Sequence, residues 1–382
     1  MGKVKKVLQI NKLYYPWIGG VEKHIQDLSE HLLEFDDLDI QVLASNETYN
    51  YADEVIGGVK VKKLPNIVHL LFKKVLLFST PVCLSFPFWL RKIKADILHF
   101  HMPNPLGVMS YFLARPKGKL VVTWQSDIVK QKKFLLLYAP FERWFLRRAD
   151  VIITTSSNLV NYSKFLPPFK DKCKIVPLGI NIEDYGLSSE GIQKVSDIKK
   201  SHTGKHVLFV GRLVYYKGVK YLIDAMEHID AELTIIGSGP LRTILEAQIE
   251  KKNLSGKVTI IPPVTTEELV CHYHLCDVFV LPSVAVSEAF GIVQLEAMAC
   301  GKPVVSTNLP TSVTYVNENG KTGIVVEPED SMALAEAVNK LLNDNNLRTT
   351  MGEYAQARVK RDFTNKQVAF KVREIYKELV SF

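Results

Sequence analysis

Residues 206–218 read HVLFVGRLVYYKG, a short apolar run that ends at Gly211 and Arg212 and leads to Lys217 and Gly218. A short run of apolar residues bounded by a turn is typical of a buried strand, and a helix is predicted to begin at Lys217 and Gly218. A strand that passes through a turn into a helix is the building unit of a parallel sheet covered by helices. The segment therefore predicts an α/β fold.

The same alternation recurs along the whole chain. Strands are predicted at residues 4–10, 40–44, 97–100, 120–123 and 151–155, and again at residues 206–210, 233–236, 258–261, 278–281, 303–306 and 323–326. This pattern indicates two successive doubly wound units. We place one domain at residues 1–180, a second at 181–362, and a terminal helix at 363–382 with Val368, Val372, Ile375 and Tyr376 on one face.

Composition excludes several classes of protein. The chain has 382 residues, of which 47% are hydrophobic and 23% charged, as in ordinary globular proteins. Its five scattered cysteines indicate free thiols in a reducing compartment. The basic N-terminus has an apolar run that ends at Ile10, too short for a signal peptide. We expect a cytoplasmic protein.

Positive charge is concentrated in the first half. Residues 1–180 carry 26 Lys and Arg against 15 Asp and Glu, whereas residues 181–382 carry 22 against 25. The uncharged stretch 75–90 has basic flanks but is shorter than a membrane-spanning helix, and it could instead be a core segment between strands. The asymmetry favours peripheral contact with the inner face of a membrane or an anionic substrate. Nucleic acid is a weaker candidate because no nucleic-acid-binding motif is present.

Two segments are candidates for binding phosphate. Gly19 and Gly20 lie between the first strand and a helix, where backbone amides attract anions, although a tight turn would also require glycine. Arg212 and Lys217 lie at the carboxyl edge of the second sheet beside a helix N-terminus, which suits a diphosphate without any metal. Solvated surface charge is the alternative for that pair.

A third segment, residues 287–301, reads SEAFGIVQLEAMACG. Glu288 lies in the turn after a strand, and Glu296 lies inside a mostly apolar helix, where a carboxylate requires a partner. Ribose hydroxyls would satisfy Glu296, and a structural salt bridge is the alternative.

These motifs together resemble the family-four retaining glycosyltransferases over essentially the whole chain. The resemblance rests on residues 19–22, 99–101, 209–212, 217–218 and 237–240, and above all on Glu288 and Glu296 in their context. It implies the GT-B fold, in which two Rossmann-like domains face each other and the C-terminal helix crosses back to the first domain. The first domain would bind the acceptor and the second a sugar nucleotide.

The resemblance also implies roles for particular residues. Arg212 and Lys217 would contact the diphosphate, Glu296 the ribose, and Glu288 the hydroxyls of the transferred sugar; Glu288, Arg212 and Lys217 would be the catalytic residues. Backbone groups would complete the donor site, at Gly19, Gly20, Val264, Phe290, Gly291 and Ile292.

One position departs from the family. Gln125 stands where many relatives carry a histidine that reaches the transferred sugar, and glutamine can donate a hydrogen bond but cannot carry charge. We place Gln125 and Asp127 at the substrate site. His101 would supply the imidazole there, unless it is a structural histidine with both nitrogens bonded.

The sequence thus predicts a retaining, metal-independent hexosyltransferase, with mannose from GDP-mannose as the first donor and a lipid-linked saccharide as acceptor, in cell-surface polysaccharide assembly. Alternatives are a UDP-hexose-dependent transferase, an epimerase or phosphorylase on the same scaffold, and an inactive sugar-nucleotide-binding subunit. No cofactor is expected. Cys271, His272, His274 and Cys276 are attributed to a structural helix, and Asp37 and Asp39 to a turn away from the site.

Overall fold

A computed structural model describes residues 4–16, 20–67, 81–127, 132–201 and 204–380 of the chain. The chain divides into two compact units, the first made of residues 1–178 and 365–382 and the second of residues 179–364. The predicted boundaries, residues 180 and 362, each lie two residues from these limits.

The first unit has a mixed sheet with one antiparallel pair. Across the described residues its eight strands lie in the order β3-β4-β2-β1-β5-β6-β7-β8, and every pair except β3 with β4 is parallel. The strands are β1 (Lys5–Ile10), β2 (Leu38–Ser45), β3 (Ala52–Ile56), β4 (Val59–Leu64), β5 (Ile97–Met102), β6 (Lys119–Trp124), β7 (Val151–Thr154) and β8 (Cys173–Ile175). The helices are α1 (Gly20–Leu32), α2 (Phe86–Lys92), α3 (Pro105–Ala114), α4 (Lys132–Arg148) and α5 (Ser157–Tyr162).

The hairpin of β3 and β4 is absent from the strands predicted from sequence. In β4 the buried Val59 and Val61 flank the exposed Lys60, so apolar and charged residues alternate instead of forming a run. A central parallel strand is buried on both faces and is therefore recognised by a continuous apolar run. This edge hairpin is buried on one face only, so its sequence lacks such a run.

The second unit is built around a six-stranded, wholly parallel sheet in the order β11-β10-β9-β12-β13-β14. Its strands are β9 (His206–Val210), β10 (Glu232–Ile236), β11 (Val258–Ile261), β12 (Val278–Leu281), β13 (Val304–Thr307) and β14 (Gly323–Val326), close to the predicted ranges. Its helices are α6 (Ser189–Ser201), α7 (Val219–Ala225), α8 (Arg242–Lys251), α9 (Thr266–Leu275), α10 (Ile292–Ala299), α11 (Val313–Val316), α12 (Ser331–Asn343) and α13 (Asn345–Asp362). The predicted α/β class, with two Rossmann-like units, is confirmed.

The C-terminal helix, Asn365–Leu379, packs on the first unit as predicted. Val368, Val372, Ile375 and Tyr376 are buried in the same apolar cluster as residues of β1 and α1. Arg373 reinforces the contact, because its guanidinium donates to the carboxylate of Asp37 and holds the pKa of that carboxyl below its usual value. Asp37 therefore has a structural partner.

None of the helices in the described residues is both long and apolar enough to cross a membrane. The predicted apolar segment 75–90 lies partly outside the described residues. Its described part exposes Val82, Leu84 and Phe88 to solvent.

Glu142 is a completely buried carboxylic acid in α4. Neither of its carboxylate oxygens has a hydrogen-bond partner among the described residues. Burial, and secondarily the charge of Asp127, raises the pKa of Glu142 to about 8. The folded state therefore holds this proton between the ordinary glutamate pKa of about 4.5 and pH 8, where the unfolded state releases it, and stability decreases across that interval.

Replacing Glu142 with Gln should therefore stabilise the protein more at pH 8.5 than at pH 5, because the amide avoids ionisation in the core. We expect the difference between the two pH values to be about 3 °C or more in melting temperature, measured by thermal unfolding. Glu34→Gln, at an exposed position of the same unit, is the control and should change both midpoints equally. An equal effect of E142Q at both pH values would contradict this assignment.

Candidate active site

The carboxyl ends of β9 and β12 form the topological switch point of the second unit. β9 pairs with β10 on one side and with β12 on the other, so the segments that leave β9 and β12 diverge. In parallel α/β sheets, such a divergence opens a crevice in which ligands bind. Lys217 follows β9 and Glu288 follows β12, which places both predicted catalytic residues at this crevice.

Lys217 and Glu288 form a buried ion pair. The Nζ of Lys217 lies 2.5 Å from Oε2 of Glu288, and the two side chains are 10% and 9% exposed. Ser283 Oγ donates to the same carboxylate oxygen at 2.9 Å, and the hydroxyl of Thr307 donates to the backbone oxygen of Ser283. Within the described residues no hydrogen bond reaches Oε1 of Glu288, so that oxygen can accept one from a ligand.

Two glycines allow the segments of the switch point to approach each other. Gly218 has φ +65°, and a Cβ there would lie 1.9 Å from the backbone oxygen of Pro282, which follows β12. Gly291, immediately before α10, has φ +71°, and a Cβ there would lie 2.6 Å from the side chain of Leu281. A side chain at Gly218 would collide with the backbone of Pro282 and separate these segments, and the left-handed backbone conformation at both positions favours glycine.

Glu296 lies in α10 beside two tyrosines. Tyr273 OH donates to Oε2 of Glu296 at 2.7 Å, and Tyr185 also hydrogen-bonds this carboxylate. Burial raises the pKa of Glu296, an effect that these hydrogen bonds and the charge of Lys217 oppose. None of the described residues forms an ion pair with Glu296, so the salt bridge considered as an alternative is not seen among them.

The other predicted donor-site residues lie around this crevice or further along the sheet edge. Arg212 is exposed in the loop after β9 and makes no ion pair with any described residue. Phe290 is buried, Ile292 begins α10, and Val264 follows the edge strand β11, two strands away from β9. Ser283, Thr307, Tyr185 and Tyr273 were not predicted. Thr307, Tyr185 and Tyr273 reach the site from elements distant in sequence, whereas Ser283 lies five residues before Glu288 in the same loop.

The substrate-site residues predicted in the first unit differ in whether the protein already bonds their polar atoms. Asp127 accepts hydrogen bonds from Trp124 Nε1, Ser163 Oγ and the backbone N–H of Lys164, at 2.6–3.0 Å, so both of its oxygens are already engaged by the protein. Gln125 is buried and its Nε2 has no hydrogen-bond partner among the described residues. A sugar contact by Gln125 or Asp127 stays a prediction. The hydrogen bonds that Asp127 accepts connect the loop after β6 to the loop after α5.

The remaining predicted site residues of the first unit are His101, Gly19 and Gly20. His101 is fully buried, and its Nε2 hydrogen-bonds Gln9 Oε1 at 2.7 Å while its Nδ1 has no partner in the described part of the chain. It is therefore not the fully bonded structural histidine considered as an alternative. Gly20 begins α1 with open space where a Cβ would stand, and Gly19 lies outside the described residues.

His274 of α9 and Cys276, which follows that helix, have structural partners. His274 Nε2 hydrogen-bonds the backbone oxygen of Tyr185 at 2.9 Å, and Cys276 contacts the backbone oxygen of Tyr273. The described residues contain no group of three or more His, Cys, Asp or Glu side chains placed to hold a metal ion.

Comparison with known proteins identifies the family. Residues 18–184 match the family model "Glycosyltransferase Family 4", and residues 192–358 match "Glycosyl transferases group 1". The chain is 32% identical to the O-antigen chain mannosyltransferase C of Escherichia coli, over 94% of each chain. It belongs to the family-four glycosyltransferases. It is also 31% identical to the D-rhamnosyltransferase WbpZ of Pseudomonas aeruginosa, over 94% of this chain and 92% of that one.

The fold agrees with this membership. The crystal structure of Anabaena Alr3699/HepE in complex with UDP-glucose matches with a TM-score of 0.75 and 21% identity, covering 98% of this chain and 100% of that one. The protein is therefore a glycosyltransferase of the GT-B fold, similar to O-antigen mannosyl- and rhamnosyltransferases, and acts on a sugar nucleotide and a saccharide acceptor.

Lys217→Met should destabilise this glycosyltransferase by about 3 kcal/mol, because it leaves the buried carboxylate of Glu288 without its cation. The double variant K217M/E288Q should recover much of that loss, since it removes both charges. Urea denaturation of the single and double variants measures the effect. Lys220→Met, at an exposed position of α7, is the control and should stay within about 0.5 kcal/mol of the unchanged protein. A double variant no more stable than K217M would show that the two charges are not coupled.

Proposed function

We propose that the protein is a retaining, metal-independent hexosyltransferase that moves mannose from GDP-mannose to a lipid-linked or oligosaccharide acceptor in cell-surface polysaccharide assembly. The observation that carries the proposal is the Lys217–Glu288 ion pair at the switch point of the second unit. The donor sugar is inferred from the names of the relatives, a mannosyltransferase and a rhamnosyltransferase.

The charges around the crevice suit the departure of a nucleoside diphosphate. The bond between the anomeric carbon and the phosphate oxygen breaks, and its electron pair remains on the phosphate. Lys217 and the exposed Arg212 supply positive charge where this negative charge grows, which stabilises the transition state more than the ground state. Because these two side chains provide the cations, the proposal requires no metal ion.

The acceptor completes the reaction on the same face of the sugar. Its hydroxyl oxygen bonds to the anomeric carbon from the side on which the diphosphate leaves, and its proton passes to the departing phosphate oxygen. Glu288 Oε1 accepts a hydrogen bond from a hydroxyl of the transferred sugar, while Lys217 and Ser283 hold Oε2 in place. Glu296, oriented by Tyr273, accepts hydrogen bonds from the ribose hydroxyls.

Donor selectivity is open to a direct test. A panel of GDP, UDP, dTDP and their hexose conjugates, with EDTA present, should give the largest thermal stabilisation with GDP and GDP-mannose. A ligand at 100 times its Kd stabilises the fold by about 2.7 kcal/mol. Arg212→Ala and Glu296→Ala should abolish the shift, whereas Arg361→Ala, at an exposed position of α13, should keep it.

Two other outcomes of this ligand panel would each favour an alternative function. A selective response to UDP would favour a UDP-hexose-dependent transferase. No response to any nucleotide at millimolar concentration would favour an inactive subunit, for which Gln125 in place of the family histidine is the supporting feature.

We further infer that the first unit contacts the inner face of the membrane, where a lipid-linked acceptor would reside. Arg91, Lys94, Arg115 and Lys117 line one concavity between α2 and α3, together with the exposed Leu113. None of the described residues that line it is acidic. A concave basic surface with an apolar side chain suits anionic lipid headgroups.

The double variant Arg91→Glu with Lys94→Glu should weaken binding to vesicles that contain anionic lipid by at least tenfold, because each basic residue near the surface contributes about 1 kcal/mol. Vesicle co-sedimentation at low and high salt measures the change. The control reverses two exposed lysines elsewhere on the same unit, Lys164 and Lys170, and should weaken binding far less. Equal loss in both double variants would show that net charge, rather than this concavity, governs binding.

A further inference from the structure

The turn that precedes α10 has three successive carbonyl groups bonded to the protein. The carbonyl oxygen of Ala289 accepts from the backbone N–H of Ser312 at 3.0 Å, and that of Gly291 accepts from the backbone N–H of Gln294 at 2.9 Å. Between them, the carbonyl oxygen of Phe290 accepts from the side-chain Nε2 of Gln294 at 3.2 Å. Gln294 therefore holds two of the three carbonyl groups.

The three N–H groups that follow these carbonyls are those of Phe290, Gly291 and Ile292, and they make no hydrogen bond to any described residue. In a trans peptide the carbonyl of one residue and the N–H of the next point in opposite directions, and neither cis peptide of the described chain lies here. Gly291 is left-handed, with φ +71°, and a left-handed residue beside a helix N-terminus gathers successive N–H groups into an anion-binding concavity. Ala289 and Ile292 are half-buried, so the turn is not sealed in the core.

Gln294 occupies the position from which many helices close their own N-terminus. In α9 the residue at this position, Glu268, accepts a hydrogen bond from the N–H of the capping residue Thr265 at 3.2 Å. Gln294 is likewise the third residue of α10, but its side chain donates to a carbonyl instead. The N–H of the capping residue Gly291 is thereby left unbonded among the described residues.

The bond from Gln294 contributes little to stability. Its nitrogen faces the Phe290 oxygen because the reverse orientation would oppose two oxygens. Gln294 is completely buried, however, and its Oε1 has no partner among the described residues. The hydrogen bond gained is therefore offset by a buried oxygen left unsatisfied. What the side chain fixes is the direction of the Phe290–Gly291 peptide.

The turn lies at the crevice of the second unit. It begins at Glu288, whose Oε2 pairs with Lys217 and whose Oε1 is unbonded within the described residues. Backbone N–H groups at a helix N-terminus, beside a lysine, suit the charged oxygens of a diphosphate.

We propose that Gln294 is a positioning residue, which by bonding the carbonyl of Phe290 aims the N–H of Gly291 at the diphosphate of the sugar nucleotide. Gln294 itself does not contact the nucleotide. The inference rests on the proposed function for the nature of the ligand. The orientation of the Phe290–Gly291 peptide rests on the hydrogen bonds of the turn alone.

A pair of isotope labels isolates this peptide in NMR spectra. Phe290–Gly291 is the only Phe-Gly sequence in the chain, so full-length protein labelled with carbonyl-¹³C phenylalanine and ¹⁵N-glycine gives a single carbonyl–amide correlation. The ¹³C shift reports the bond to the Phe290 oxygen, and the N–H shift reports a ligand at Gly291. We expect GDP to move the N–H signal, and Gln294→Met to move the carbonyl signal without any nucleotide.

Affinity for the nucleotide should change without a matching change in stability. Q294M should raise the Kd of GDP and that of GDP-mannose about tenfold, the value of one hydrogen bond to a charged group, and move the melting temperature by less than about 3 °C. Gln294→Glu should raise both Kd values further, because its carboxylate accepts the Gly291 N–H, as Glu268 does for its own cap, and adds negative charge. Titration calorimetry measures the Kd values. A loss confined to GDP-mannose would overturn the assignment to the diphosphate.

Gln356→Met is the matched control. Gln356 Nε2 donates to the backbone oxygen of Ala299 at 2.9 Å, so this variant removes the same kind of bond at the other end of α10. It should leave the Phe290 carbonyl signal and both Kd values unchanged. Equal losses in Q294M and Q356M would show that the bond serves only to pack the helix, and would overturn the proposal.

The two proposals fail in different ways. If no nucleotide binds, the proposed function fails and the diphosphate is refuted as the ligand, while an unchanged carbonyl signal in Q294M would also refute the orientation of the peptide. If nucleotide binds and neither Q294M nor Q294E changes its Kd, the role of Gln294 is refuted and the proposed function stands.

Discussion

The ion pair between Lys217 and Glu288 is the contact on which the geometry of the second unit's crevice depends. It joins the segment after β9 to the segment after β12, two strands that are neighbours in the sheet although three helices and two strands separate them in the chain. A buried pair is stable only when its geometry is close and its remaining lone pairs are satisfied. Ser283 adds a hydrogen bond to Oε2 of Glu288, and Thr307 in turn bonds the backbone oxygen of Ser283, while Oε1 of Glu288 is left for a ligand. Gly218 allows the approach of the two backbones.

The first unit has a comparable topology but a different chemistry at its switch point. There the groups are neutral: two stacked histidines, a glutamine and a tyrosine, all buried and joined by hydrogen bonds. Fixed cations are suited to a charged diphosphate, whereas neutral donors and acceptors of definite orientation are suited to sugar hydroxyls. Under the proposed function, the charged switch point suits the diphosphate of the donor, and the neutral one suits the hydroxyls of a saccharide.

The buried polar groups also explain why the C-terminal helix belongs to the first unit. Its apolar face contributes to the core around β1 and α1, and Arg373 pairs with Asp37 at the rim. Tyr376 adds a polar contact that no apolar residue could replace, because His99 and Gln9 would otherwise be left with unsatisfied groups in the core. The packing and the hydrogen bonding of the first unit's core therefore both depend on this helix.

The sequence by itself determined the α/β class, the central strands, the C-terminal helix, the positions of Lys217 and Glu288 after strands and that of Glu296 within a helix. Those features are local, since apolar runs, glycines and helical spacing are legible within a few residues. Only the tertiary structure decided what each polar side chain contacts. The pairing of Lys217 with Glu288, the tyrosines around Glu296, the engagement of Asp127 by Ser163 and the link from Tyr376 to His99 all join residues distant in sequence. The edge hairpin of β3 and β4 was missed for a related reason: its alternating pattern becomes a strand only through pairing with the rest of the sheet.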